Sequence, residues 1–156
     1  PRLLQIRVKN DSCQMASAGQ KLVGKCWTVF DMKHEERESY GWTINNPSFT
    51  RNNFQSYSAW MYSEDSQSTG GYSGLTGSYP PHGFMTVLGN RKAESAAIIE
   101  ELKAKKWIDL QTRAIIIDFT VYNGNVNLFN QIRLVMEFPP TGGVLNTWTV
   151  RTAKLL

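Results

Sequence analysis

The chain has 156 residues, with 17 Lys and Arg against 13 Asp and Glu, and its 19% of charged residues lies below the ~25% average of globular domains. That length suits one compact domain able to bury ~70% of its unfolded surface, which excludes a disordered, collagenous or disulfide-dense miniature protein. Two further classes fall away: the longest unbroken aliphatic run, Ala114-Ile115-Ile116-Ile117, is far short of the ~20 apolar residues of a helical span, and the net charge of +4 is scattered instead of striped, so nucleic acid is not an expected partner.

Pro1 follows neither an initiating Met nor a signal peptide, so the chain reads as a fragment or a processed product. Leu4, Ile6 and Val8 then alternate with Gln5, Arg7 and Lys9, the period-two pattern of a strand buried on one face. Cys13 and Cys26 follow thirteen residues apart, with Gly19 and Gly24 between them. A bridge there would stabilise the domain by ~3 kcal/mol, chiefly by restricting the unfolded chain, and two buried thiols are the alternative. Asn10-Asp11-Ser12 is an N-glycosylation acceptor pattern. With the cysteines it leans toward an oxidising compartment. The cluster His34-Glu35-Glu36-Arg37-Glu38 reads as solvated surface.

Residues 39–89 hold three charged residues, Arg51, Glu64 and Asp65, yet ten of the chain's 18 aromatics, set among Ser, Asn, Gly and Pro. Such a stretch predicts short strands joined by turns, with the rings building a satellite core or offering a recognition surface for sugar or protein. The glycine-rich run from Gly70 to Gly77 lacks the Lys-Ser/Thr of a phosphate loop and reads as a flexible turn. A helix is expected from Arg91 to Trp107, capped by Asn90, with Ile98, Ile99 and Leu102 on its buried face and Glu101–Lys105 paired on its wet side. Ile115, Ile117, Phe119 and Val121 then alternate up to Asn123-Gly124, a strong hairpin signal. A two-residue loop would set Val121 against Val126 and Phe119 against Leu128. The return strand stops at Pro139-Pro140, which lack donors, and a last strand is expected within 144–155 after the Gly142-Gly143 turn. The economical architecture is α+β: an antiparallel sheet packed against a few helices.

No constellation of catalytic chemistry emerges. His34 and His82 have no zinc or triad spacing, and the cysteines are too far apart for a redox pair. Asp118 lies among aliphatic neighbours, where a hydrogen-bonded partner or solvent is expected before catalysis. No enzyme activity and no cofactor are anticipated.

Several ordered strings carry a resemblance. Trp107-Ile108-Asp109, Thr112-Arg113-Ala114, the run Ile117 to Asn123, Asn125 to Phe129 and Glu137 to Gly143 closely resemble the polycystin family. So do Pro1-Arg2-Leu3, Arg7 to Asn10 and Ser12-Cys13, and Gly70-Gly71-Tyr72 suits that family's Gly-Gly-Tyr element. Asp109-Leu110-Gln111-Thr112 departs from the frequent Asp-Arg-Gly-Thr, and Asn123-Gly124-Asn125 from Asn-Ala-Asn.

The resemblance implies one extracytosolic polycystin (TOP) domain over 1–156, set between the first and second membrane helices of a channel subunit related to the transient receptor potential channels. It implies a lobe over about 10–60 pinned by a Cys13–Cys26 disulfide, a glycan on Asn10, and Arg151 to Leu156 leading into a membrane helix. The expected partners are other polycystin subunits in a tetramer, with room for an extracellular ligand, at the outer or lumenal face of the plasma membrane, cilium or endoplasmic reticulum. Trp107, Arg113 and Asp118 are expected to form an internal framework of a planar ring and a charge pair, and Asn123, Asn125 and Phe129 to serve structure or assembly. The competing reading is a carbohydrate- or protein-binding ectodomain that uses 39–89, with Tyr57, Trp60 and Tyr72 in contact.

Overall fold

A computed structural model of the protein describes residues 1–13, 15–41, 58–64 and 70–154. The strands among them are β1 (Arg2–Arg7), β2 (Tyr62–Ser63), β3 (Tyr72–Ser73), β4 (Ser78–Tyr79), β5 (Gly83–Val87), β6 (Thr112–Asn123), β7 (Leu128–Glu137) and β8 (Leu145–Lys154). Helices α1 (Ser17–Val23) and α2 (Lys92–Ala104) and a short 3-10 turn over Ser58–Trp60 complete the elements. Six strands form one antiparallel sheet in the order β2-β5-β1-β6-β7-β8, and β3 pairs only with β4. Strand far outweighs helix, so the α+β expectation fits only loosely and the domain is sheet-dominated.

The sheet lies between two covers. Leu3 and Ile115 face Ile98, Leu102, Trp107 and Trp60 on the helical side. Leu4, Ile6, Ala114, Ile116 and Val135 face Tyr72 and Tyr79 of the β3–β4 hairpin on the other. β1 is therefore a central strand buried on both faces, not the half-buried strand that its alternation predicts. Gln5 and Arg7 are as buried as Leu4 and Ile6. Gln5 is fully bonded and Arg7 pairs through both terminal nitrogens, as described below, while Arg7 Nε has no partner among the described residues.

Helix α2 starts one residue later than expected, and Arg91, not Asn90, holds the cap position without a side-chain bond. Ile98 and Leu102 turn inward, while Ile99 is 46% exposed and leaves the predicted buried face. The Glu101–Lys105 ion pair forms as anticipated. The helix closes with two reverse bonds, from Trp107 N–H to the Leu102 carbonyl at 2.9 Å and from Lys106 N–H to the Lys103 carbonyl at 3.1 Å. Lys106 takes the left-handed conformation (φ 53°) that this closure requires and that glycine usually fills.

The β6–β7 hairpin forms with a longer loop than Asn123-Gly124 alone predicts. Asn123 pairs with Leu128 and Phe119 with Ile132, which leaves Gly124 to Asn127 as the loop. Asn123 Oδ1 accepts from the Asn125 N–H at 3.0 Å, and Asn127 supplies the left-handed residue (φ 52°). Each partner thus shifts by four positions, an even number, so every side chain keeps the expected face. Val126 is lost to the loop and does not oppose Val121. At the other end the ladder slips between Ile6 and Arg7, whose partners are Ala114 and Thr112, so Arg113 is a bulge residue.

Candidate functional site

At the end of α2 a buried polar cluster ties helix, sheet, Tyr40 and the 3-10 turn together. Trp107 Nε1 donates to the Ala59 carbonyl at 2.7 Å, tying the helix end to the 3-10 turn. Gln5 Nε2 donates to the Trp107 carbonyl at 2.8 Å and to Thr112 Oγ1 at 2.7 Å, while its Oε1 accepts from the Tyr40 hydroxyl at 2.6 Å. Arg7 makes a two-pronged pair with Asp109 at 2.7 and 3.0 Å, and its guanidinium lies 3.4 Å from the centre of the Tyr40 ring. Burial raises the Tyr40 hydroxyl's pKa well above its ordinary value. Trp107 itself is 2% exposed at this junction.

Arg113 and Asp118 are not the charge pair expected beside it. Five residues along one strand separate their backbones by ~17 Å. Arg113, freed from the ladder by the bulge, donates from Nε to the Thr28 carbonyl at 2.7 Å and from Nη1 to the Leu110 carbonyl at 3.0 Å, and burial lowers its pKa. Asp118 instead meets Arg2 at 3.5 Å and Arg133 at 3.3 Å, while Gln131 donates to its second oxygen at 3.4 Å. Arg2 also donates to the Tyr72 hydroxyl at 2.8 Å, and Arg133 sits 4.3 Å from the Tyr72 ring centre. Two clamps therefore replace one: Arg113 anchors the segment at Thr28, and Asp118 anchors the hairpin cover.

Two buried carboxylates escape sequence reasoning. The glycine-rich turn closes over Glu137, which accepts from the Leu75 N–H at 2.6 Å, the Thr76 N–H at 2.9 Å, the Thr76 hydroxyl at 2.6 Å and the Tyr79 hydroxyl at 2.8 Å. A side chain at Gly74 would overlap this carboxylate, so the turn is a fitted clasp and not a flexible connection. Burial works against the charge, but the bonds from Thr76, Tyr79 and Leu75 outweigh it and hold the Glu137 pKa below the ordinary value. Burial, helped by that carboxylate, pushes Tyr79 up to about 12.

The second is Glu35, only 3% exposed within the charged run expected to be solvated. Its oxygens accept from Arg37 Nε at 2.8 Å and the Tyr62 hydroxyl at 3.0 Å, and His82 Nε2 stands 3.4 Å away. The isolated bridge between Val8 and Glu35 draws this carboxylate inward. One-dimensional charge patterns carry no trace of either contact.

The described aromatics of 39–89 are mainly framework: Trp60, Tyr72, Tyr79 and Phe84 are buried, which disfavours Trp60 and Tyr72 as ligand contacts. Tyr57, together with Trp42, Phe49 and Phe54, lies outside the described residues. Cys13 and Cys26 are joined in a disulfide with Cα atoms 5.6 Å apart, and α1 lies within the loop they close. Asn10 sits exposed in the turn leading to it. Among the described residues no group of three His, Cys, Asp or Glu converges to hold a metal ion, and no helix is long and apolar enough to cross a membrane.

Beyond the two covers, β6, β7 and β8 continue as a three-stranded ribbon. Its outer part is open: Trp148 is 69% exposed, Tyr122 55%, and Val121 and Val150 are exposed as well. Tyr122 and Phe129 stack at 4.5 Å between ring centres, next to the Asn123–Asn125 turn. The candidate functional surface is this ribbon, continuous with the sheet that holds the buried clusters.

The family model described as "Polycystin domain" matches residues 1–156. "Polycystin-2-like protein 2" of Mus musculus is 36% identical over 156 residues, covering all of this chain and 23% of the relative. "Polycystin-2" of Danio rerio is 35% identical over 157 residues, covering all of this chain and 16% of the relative. "Polycystin-2-like protein 1" of Homo sapiens is 36% identical over 158 residues, with all of this chain and 18% of the relative covered. The chain thus spans about a fifth of the length of the curated relatives it matches. A sheet clamped between an α-helical cover and a glycine-clasped hairpin, a Cys13–Cys26 disulfide and a match along the full chain lead to one conclusion: the protein belongs to the polycystin domain family.

Proposed function

We propose that this chain is the extracytosolic domain of a polycystin-type cation-channel subunit, where it contributes to tetramer assembly and to gating. The observation that carries the reading is the open outer part of the β6–β8 ribbon. A domain with two well-made covers elsewhere leaves Tyr122, Trp148 and Val150 in water. By register Trp148 and Val150 share the face of Phe119 and Val121, while Tyr122 and Phe129 lie on the opposite face. Exposed apolar side chains mark contact surfaces, and neighbouring subunits around a ring would cover the two faces. Its partners are other polycystin subunits, and the membrane is reached through flanking helices outside this chain. Family membership and whole-chain relatives with polycystin-2 in their names support this reading.

The disulfide and the exposed Asn10 suit an oxidising, glycan-bearing compartment, and Asn10 is the proposed glycan site. Residues 1–156 act as one such domain, with 10–60 as its lobe and Asn123, Asn125 and Phe129 shaping the ribbon end that meets a neighbour. A ring of these contacts biases opening only if the contact energy differs between closed and open states.

The test places Tyr122→Glu and Trp148→Glu in the full-length subunit. Cross-linking and native electrophoresis should show loss of the tetramer, and whole-cell current should fall, while the thermal midpoint of the 156-residue chain stays unchanged. A tetramer that survives both substitutions with normal current overturns the assembly role.

A further inference from the structure

A groove of about 440 Å³ runs between α2 and the sheet. Leu3, Ile115, Ile117 and Met136 form its floor, and Leu102 and Trp107 its wall. Ile99 and Ile108, 46% and 51% exposed, stand along its lip. Its size falls in the range of small-molecule sites, ~300–1,000 Å³. The only polar side chains among its described lining residues, apart from the indole N–H already bonded to Ala59, are Lys103 and Lys106. Among the described residues neither lysine makes an ion pair and no acidic side chain lines the groove.

Lys106 carries the second observation. It occupies the left-handed position of the helix closure, where an L residue is strained and glycine is not. Cations near a helix C-terminus complement its dipole, and that accounts for Lys103. It does not account for a side chain at a position that favours none. Strained positions of this sort cluster where a ligand is held.

The lining also selects among occupants. β6 is paired on both sides, with β1 and β7, and β7 with β6 and β8, so no free strand edge opens into the groove to bond an extended peptide. An alkyl chain needs no such bonds. We propose that this groove binds a single-chain anionic amphiphile, its hydrocarbon tail on the sheet floor and its acid group at Lys103 and Lys106.

The experiment titrates the 156-residue chain by calorimetry with dodecanoate below its micellar concentration, with dodecyltrimethylammonium and an acidic amphipathic helical peptide as comparison arms. Dodecanoate should saturate at one molecule per chain and the cationic amphiphile should not. Lys106→Gly should raise the thermal midpoint by a few degrees, because the strain is relieved, yet weaken dodecanoate about fivefold or more. Ile99→Glu, at an exposed lip position, should keep native circular dichroism and weaken dodecanoate about tenfold or more. Equal binding of the two amphiphiles, absence of one-to-one saturation, or an unchanged affinity in Lys106→Gly overturns the proposal. Saturable binding of the peptide in place of dodecanoate overturns it too, and reassigns the groove to a protein partner.

Discussion

The sheet has two parts built from the same strands and treated in opposite ways. Around β1 it is covered by α2 on one face and the β3–β4 hairpin on the other, and even Gln5, Arg7 and Glu137 are buried there. Farther along β6, β7 and β8 neither cover reaches, and Val121, Tyr122, Trp148 and Val150 lie exposed. The apolar alternation from Ile115 to Val121 runs through both parts unchanged. Alternation therefore reports the pleat of a strand, while what lies over the pleat is decided by elements far away in sequence.

The sharpest way to test this contrast is at the covered end. Trp107→Ala removes an indole from the junction of α2, sheet and 3-10 turn and breaks its bond to Ala59, so a loss of about 3–5 kcal/mol is expected in chemical denaturation. A loss below about 1 kcal/mol would mean that the junction is not the framework.

The clasp comes next. Glu137→Gln puts an amide where four donors converge, and about 1–3 kcal/mol should be lost at neutral pH. The folded pKa of Glu137 is depressed, so its contribution is fully present above the unfolded carboxylate value and is lost as pH falls through the folded one. Glu137→Gln should accordingly flatten the acid limb of a stability–pH profile. An unchanged acid limb would remove the clasp from the stability account. Tyr79, with its folded pKa raised to about 12, works in the opposite direction: its share holds below pH ~10 and is lost as pH climbs toward the folded value.

The smallest effect belongs to the ribbon. Trp148→Thr removes the large exposed side chain at an outward position, and stability should stay within about 0.5 kcal/mol of the parent in the isolated chain. A larger loss would show that the ribbon stabilises its own domain and would weaken its reading as a surface kept for a neighbour.

Local features were largely legible. The β6–β7 hairpin and its faces, the strand at 145–154, the position of α2 and the core roles of Ile98 and Leu102 follow from period, turn residues and prolines. The errors share one cause. The half-buried reading of β1, the solvated reading of Glu35 and the flexible reading of Gly70 to Gly77 each treated a polar or glycine residue by its own preference. All three depend on partners far along the chain: Glu35 on Tyr62, 27 positions on, Gly74 on Glu137, and Gln5 on Trp107, 102 positions on. The Arg113–Asp118 pair failed for the converse reason, because a bulge turned Arg113 to the Thr28 carbonyl and Arg2 claimed Asp118.

What the amino-acid sequence determined by itself is short-range: where the chain alternates, turns and stops, because those follow from side-chain periodicity and from the donors that proline lacks. The tertiary structure alone decided which faces are roofed, which carboxylates are buried with their charge, and which apolar residues are left open in groove and ribbon. Burial is a property of pairs of elements, and a polar group goes inside only when a distant segment arrives with the matching hydrogen bonds.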